Sequence, residues 1–321
     1  MDLPSFDPDA EKLPKLSELP SIDGAPSNAA WFWGKHDQLG RLNLLTPRRI
    51  ANAAKQIQTG KTVCLNFPAE LPAPPFFGRQ GFKHEIKAIT DYAYDDLHTL
   101  NTQSGSQWDG FRHVGINHND SFIWYNNTTR AQILSTEKLG IHHWAKKGIA
   151  GRGVLIDFYS YSKRSYDPFT ARKITVEEIE ACARACHVEF NYGDILVVRT
   201  GWSEAYKKLD ADGRMKIGSK SNSELEFAGL SRGNSMLEFL HDNYFSAVAS
   251  DSPAFESWPF DEPEHLHYYL LPRWGVPIGE MWDLDGLAEL CQKTGRYTFF
   301  LASSPANVQG EGLSPYYKTV M

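Results

Sequence analysis

Cysteine is scarce in this sequence. Cys64, Cys182, Cys186 and Cys291 are the whole complement of 321 residues, too few and too scattered for a disulfide framework. Cys182 and Cys186 lie four apart on an expected helix, followed by His187. A zinc site there would need two more ligands nearby, so a buried face of small residues is the simpler reading. Long apolar runs are missing too. Met1 to Pro20 is acidic, proline-punctuated and without an apolar core, which excludes a signal peptide or a membrane span from that stretch. Positive charge is in deficit: 33 Lys and Arg face 39 Asp and Glu, for a formal charge of −6 and a pI near 6.0. With no basic run or basic amphipathic helix, neither nucleic acid nor an anionic membrane is expected as a main partner. The Asn126-Asn127-Thr128 sequon means nothing without secretion. A cytoplasmic protein acting on a small molecule fits these absences.

What is present is a globular composition, 41% hydrophobic and 13% aromatic with nine Trp, enough for one sizeable core. Residues 1–30 show little periodicity and are expected as an extended arm on the body or on a partner subunit. Residues 31–321 then form one large domain. Thr46-Pro47 starts a helix, hydroxyl at N-cap and proline at N1, expected to run to Thr59 before Gly60. Lys61 to Phe67 is expected as a strand, and the four prolines of Pro68 to Phe77 demand an irregular loop. Short apolar runs at 153–158, 194–202, 246–251 and 296–302 alternate with helices expected at 175–185 and 235–241. That alternation predicts an α/β fold with strands buried on both faces.

Three polar clusters stand on this scaffold. The first is Gln103-Ser104-Gly105-Ser106-Gln107-Trp108-Asp109-Gly110-Phe111-Arg112-His113. Its Asp109 and His113 are acid, base or ligand candidates. The second, Asp251-Ser252-Pro253, follows a strand, where α/β sheets place ligands. The third is His265-Leu266-His267 with Gly275 to Glu280. There Glu280 ends an apolar run, and burial favours its neutral form unless a cation pairs with it. It is a ligand, a tuned acid or a salt-bridged structural residue.

Arranged in this order the blocks resemble the cyclase family that includes kynurenine formamidase and isatin hydrolase, whose hallmark runs His-x-Gly-Thr-His-x-Asp-x-Pro-x-His. Here Gly105, Asp109 and His113 keep the frame. Ser106 replaces Thr, Phe111 stands for Pro, and both early histidines have become Gln103 and Gln107. Gly151 to Asp157, Gly193 to Trp202, Ala249 to Pro253 and Gly310 to Pro315 extend the likeness. So do Trp33-Gly34, Asp37 to Gly40 and Leu42 to Thr46, which resemble a subgroup with Trp-Asp-Gly in its hallmark. The resemblance covers about residues 31–320 and implies a swivelling β/β/α architecture and a homodimer. It also implies a divalent metal, manganese or zinc, in a hydrolase of a small cyclic amide, lactone or aryl formamide.

Carried over by position, Asp109, Glu280 and His267 are expected ligands and His113 the proton carrier, with Gln103 and Gln107 where two ligands are lost. A carboxamide oxygen is a hard, weak ligand, so an oxygen-rich set suits manganese, magnesium or calcium better than zinc. The alternative is that no metal binds. The glutamines would then hydrogen-bond substrate carbonyls while Asp109 orients His113, as in a metal-independent cyclase or isomerase. A non-catalytic small-molecule binding protein is the third reading. Several residues have plainer accounts. Asp109 could cap an Asp-Gly turn. Trp108 and Phe111 are core or a planar-substrate wall, and Arg112 a carboxylate anchor or a structural ion pair. Asp251 shapes the pocket floor by hydrogen bonding. His267 is preferred to His265 by its spacing to the family's late histidine. His118 and Asp120 belong to a solvated loop, and His84 and Glu85 sit on a loop that could approach the site.

Overall fold

The apolar runs become the centre of a sheet. In the computed structural model, which describes residues 3–259, 265–315 and 318–320, Ile195–Val198 and Ala247–Ser250 are buried at every position. Ile195 pairs in parallel with Gly153 on one side and Ala247 on the other. Ile278–Glu280 continues the parallel set beyond Ala247–Ser250. Largely aliphatic, buried central strands of this kind are what a doubly covered parallel sheet requires. The remaining strands are antiparallel. From one edge the order is Val63–Cys64, Lys318–Val320, Thr298–Ser303, Ile149–Ile156, Ile195–Val198, Ala247–Ser250, Ile278–Glu280, Gln107–Asp109 and Leu313–Pro315. The α/β fold read from the sequence is therefore the fold observed.

Capping chemistry sets the helix starts. Thr175 caps Val176–Ala185 in a reciprocal box with Glu178, and Thr46 Oγ1 accepts from Arg49 N at 3.2 Å to start Pro47–Ala54. That second helix ends five residues before Thr59. Gln56 lies past its end, and its carbonyl and side chain accept from Arg296 and Thr298 at 3.1 and 2.8 Å. Those tertiary bonds replace the last helical turn. The expected 61–67 strand shrinks to Val63–Cys64. One element was unexpected: His84 and Glu85, expected on a loop, lie in a hairpin, Lys83–Thr90 with Ala93–Thr99, exposed over almost its whole length.

The N-terminal segment lies on the body of its own chain. Phe6 N donates to Phe32 O at 3.3 Å, Leu16 N to Asp242 Oδ1 at 2.7 Å, and Leu13 is buried beside Leu44 and Tyr244. Residues 1, 2 and 321, the ends of the expected arm and domain, lie outside the described residues. Asp37 folds the next block into a tight turn, accepting from Leu39 N, Gly40 N, Asn43 Nδ2 and Tyr125 OH. Gly40 has φ +54°, and a Cβ there would sit 2.1 Å from the Gly275 carbonyl oxygen. Only glycine admits that approach.

Candidate active site

Sheet register assembles the site. Gln107–Asp109 runs antiparallel to Ile278–Glu280, with Gln107 opposite Glu280, Trp108 opposite Gly279 and Asp109 opposite Ile278. Side chains alternate along a strand, so Gln107, Asp109 and Glu280 project from one face. Gln107 Nε2 donates to Glu280 Oε2 at 3.0 Å and to Gln103 Oε1 at 2.9 Å. Gln103 Nε2 in turn donates to Asp109 Oδ1. The amide nitrogens, not the oxygens, are turned to the carboxylates. As arranged, Gln103 and Gln107 present N–H groups to the carboxylates, and each N–H offsets carboxylate charge directly.

His267 enters from the start of a short helix, Leu266–Leu270. Its Nδ1 lies 2.9 and 2.8 Å from the two oxygens of Glu256. Its Nε2 lies 3.3 Å from Glu280 Oε1 and 3.6 Å from Asp109 Oδ2. His113 Nε2 is 3.9 Å from the same Asp109 oxygen, and the two imidazole rings are 6.3 Å apart. Asp109 Oδ2 is buried and has no hydrogen-bond partner. Ligand atoms of Asp109, His113 and His267 all lie within 4.8 Å of one another, a donor set of two imidazoles and one carboxylate.

Burial and charge tune these groups against each other. Burial of Asp109 opposes its ionisation, but the neighbouring His113 and His267 and the Gln103 amide outweigh it and hold the carboxyl below its ordinary value. Glu280 goes the other way, pushed up to about 7 by burial and by the Asp109 charge. Burial would discharge His267, yet Glu256, Asp109 and Glu280 hold its pKa well above the usual imidazole value. Burial pushes His113 down, only partly offset by Asp109, and pushes His265 down to about 4. Two histidines with opposite protonation preferences thus share one carboxylate.

A cavity of about 310 Å³ opens onto the cluster, bordered by Gln103, His113, His265, His267 and Glu280 with Phe77, Arg79, Val114, Pro253, Ala254, Trp258 and Tyr268. Phe77 and Trp258 meet edge to face at 5.1 Å. Arg79 donates to the Gln103 carbonyl at 2.9 Å and lies over the Phe77 ring. His265 also borders this space, its Nδ1 3.9 Å from Glu256 Oε1.

Four expected substrate contacts do not border the cavity. Trp108 alternates to the opposite face, fully buried against Trp282, with Nε1 donating to Ser303 Oγ at 3.0 Å. Phe111 is buried between Tyr125 and Trp144. Arg112 spends its guanidinium on the carbonyls of Ile133, Thr136, Lys138 and Gly310, tying loops together. Asp251 accepts from Thr200 N and Oγ1, Gly201 N, and Ser203 N and Oγ. It shapes the turn that follows the strand Ile195–Val198. His84 and Glu85 belong to the exposed hairpin, and His118 and Asp120 to a separate small hairpin and its tip.

Sequence reasoning missed Glu256 and Arg79. Glu256 is fully buried. Its segment is held by a bridge to Leu230, where a Cβ on Gly229 would sit 2.4 Å from the Glu256 backbone. A lone acid inside the apolar run Ala254-Phe255-Glu256-Ser257-Trp258 was the available signal, because a buried carboxylate demands a partner.

A family model described as Putative cyclase matches residues 75–257. Among solved structures, one reported as a novel cyclase superposes with a TM-score of 0.80 at 31% identity, covering 91% of this chain and 99% of that one. Isatin hydrolase A from Ralstonia solanacearum superposes with a TM-score of 0.56 at 15% identity over 86% of this chain and 97% of its own. The Labrenzia aggregata isatin hydrolase A, bound to benzyl benzoate, does so at 0.56 and 14% over 85% and 98%. At that identity the two hydrolases share the fold. No curated protein matches the chain. Among the described residues no helix is long and apolar enough to cross a membrane.

Proposed function

From the premise that the chain belongs to this cyclase family, we propose that it is a hydrolase. It opens a C–N or C–O bond in a small cyclic amide, lactone or aryl formamide. One observation carries the reading: His113, which burial keeps neutral, and His267, which carboxylates keep charged, meet at one buried Asp109 oxygen beside a cavity. His113 takes the proton of the attacking water as the water oxygen joins the carbonyl carbon. It then returns that proton to the departing nitrogen or oxygen as the scissile bond breaks. Asp109 stabilises the imidazolium formed between the two steps. Gln103 and Gln107 hold the carboxylates apart and in place. Phe77 and Trp258 offer edges and faces to a planar ring, and Arg79 a cation to its polar rim.

The residues fit a divalent cation of the manganese or zinc kind. Asp109 Oδ2 is buried without a hydrogen bond, both histidines turn Nε2 toward it, and Glu256 holds the far nitrogen of His267 as carboxylates do behind ligating imidazoles. Asp109 and His267 would hold the ion, with Glu280 alongside, and His113 would be left to carry the proton. Bound there, it would polarise a carbonyl and acidify water.

A second reading, a metal-independent cyclase or isomerase, is favoured by the amide bridges and the charge on His267, which already offset the buried carboxylates. The proposal includes a homodimer in the cytoplasm and a catalytic domain over residues 31–321, with 1–30 as its arm. The test is turnover of a panel holding an aryl formamide, a five-membered cyclic amide and an aromatic lactone, by wild type, Asp109→Asn and His113→Asn. At least one probe should turn over, and both variants should lose about 10²–10⁴-fold in kcat. Elemental analysis of protein purified without chelator separates the two readings. Full activity in both variants, or no turnover of any probe, would remove the hydrolase reading.

A further inference from the structure

The exposed hairpin holds a second cluster of ligating side chains. Register places His84 directly across from His98, and Asp96 two residues before His98 on the same face. Each of the three offers a ligand atom, and those atoms lie within 4.8 Å of one another. His84 Nε2 is 2.5 Å from Asp96 Oδ1, and the two imidazole rings are 5.1 Å apart. Phe82 backs the pair, its ring 5.1 Å from that of His98. The side chains of His84 and Asp96 are 42% and 59% exposed, so an ion reaches them from bulk solvent. Nothing in the proposed hydrolysis uses this group, which borders no part of the catalytic cavity.

We propose that His84, Asp96 and His98 form a divalent-cation site that staples the two strands of this hairpin near its root. Two imidazoles and one carboxylate select borderline metals such as zinc, cobalt or nickel over calcium or magnesium. Three protein ligands leave the remaining position to water. The ion has a mechanical consequence here. A two-stranded ribbon is marginal by itself, and this one carries exposed Ile86, Ile89, Tyr92, Tyr94 and Leu97. Its second strand ends at Thr99, four residues before Gln103, so fixing the root also fixes the approach to the catalytic segment.

The experiment uses full-length protein stripped with a chelator and titrated with Zn²⁺ by calorimetry, comparing wild type, His84→Ala/His98→Ala and Asp96→Asn. The double variant should bind one zinc fewer per chain than wild type. That difference holds whatever the buried cluster binds, because its residues are unchanged. Asp96→Asn, which keeps the size of the side chain, should lose the same binding phase, and it serves alone if the double variant fails to fold. Trypsin cleavage at Lys83 and Lys87 gives a second readout. Zinc should slow it in wild type and leave it unchanged in the variants. Equal zinc stoichiometry and affinity in all three proteins, or zinc-independent cleavage in wild type, would overturn the site. The His84–Asp96 contact would then be an exposed hydrogen bond alone.

Discussion

Replacing Glu256 by Gln isolates what holds His267. Both carboxylate oxygens lie within 2.9 Å of His267 Nδ1, and one also accepts from the His267 backbone N–H at 3.4 Å. A glutamine keeps the shape, one acceptor and no charge. Its NH2 group then confronts an N–H donor. Breaking a buried ion pair outright costs about 3–5 kcal/mol. Here Asp109 and Glu280 remain 3.6 and 3.3 Å from the other nitrogen, so the loss should be nearer that of one hydrogen bond to a charged group, about 2 kcal/mol. For 321 residues that corresponds to a fall in Tm of roughly 3 °C. The catalytic effect should exceed the stability effect. A ligand-orienting carboxylate contributes about 10–100-fold, and Glu256 does not border the cavity. Glu256→Gln should therefore lower kcat with KM little changed, read by calorimetry and steady-state kinetics on one preparation. A Glu256→Gln enzyme that melts lower yet keeps kcat within about twofold would refute the role given to His267.

Two further outcomes follow from buried groups away from the cavity. Asp251→Asn sets an NH2 against donors that now meet a carboxylate, so the urea midpoint should reflect a loss of about 3 kcal/mol, with KM unchanged in the protein that remains folded. His241 packs against Tyr244 and Trp274 and is pushed down to about 4 by burial and the Arg41 charge. Its folded value lies below its unfolded one, so between pH 6.5 and 4 the unfolded chain binds more protons. Stability is then full above about pH 6.5 and falls by about 3 kcal/mol toward pH 4. His241→Gln should flatten that slope, and an unchanged slope would assign the acid sensitivity elsewhere.

Sequence pattern reached furthest where burial is total. Strands such as Ile195–Val198 and Ala247–Ser250 are apolar at nearly every residue, and their shortness and β-branched content favour strand over buried helix. The hairpin at 83–99 escaped because both its faces meet solvent, which leaves no period-2 contrast to read. At the site, Asp109, His113, His267 and Glu280 were legible as a spaced frame, and the structure brings all four together. Alternation within Gln107-Trp108-Asp109 already implied that Trp108 turns away from the two polar residues. Arg112 and Asp251 carry hydrogen-bonding groups that serve a ligand or a loop equally well. Only the tertiary positions of Lys138, Gly310 and Thr200 decide for the loops.

If His113 delivers water to a carbonyl, oxygen from solvent must enter the product. Wild-type enzyme should be run to completion on whichever panel compound it opens, in H2(18)O, with the product weighed by mass spectrometry. Each product molecule should carry one heavy oxygen in its new carboxylate, and the rate for His113→Asn should be lower by about 10²–10⁴-fold. Product formed at the wild-type rate without the heavy oxygen would mean cyclisation or isomerisation, and would contradict hydrolysis at this cluster.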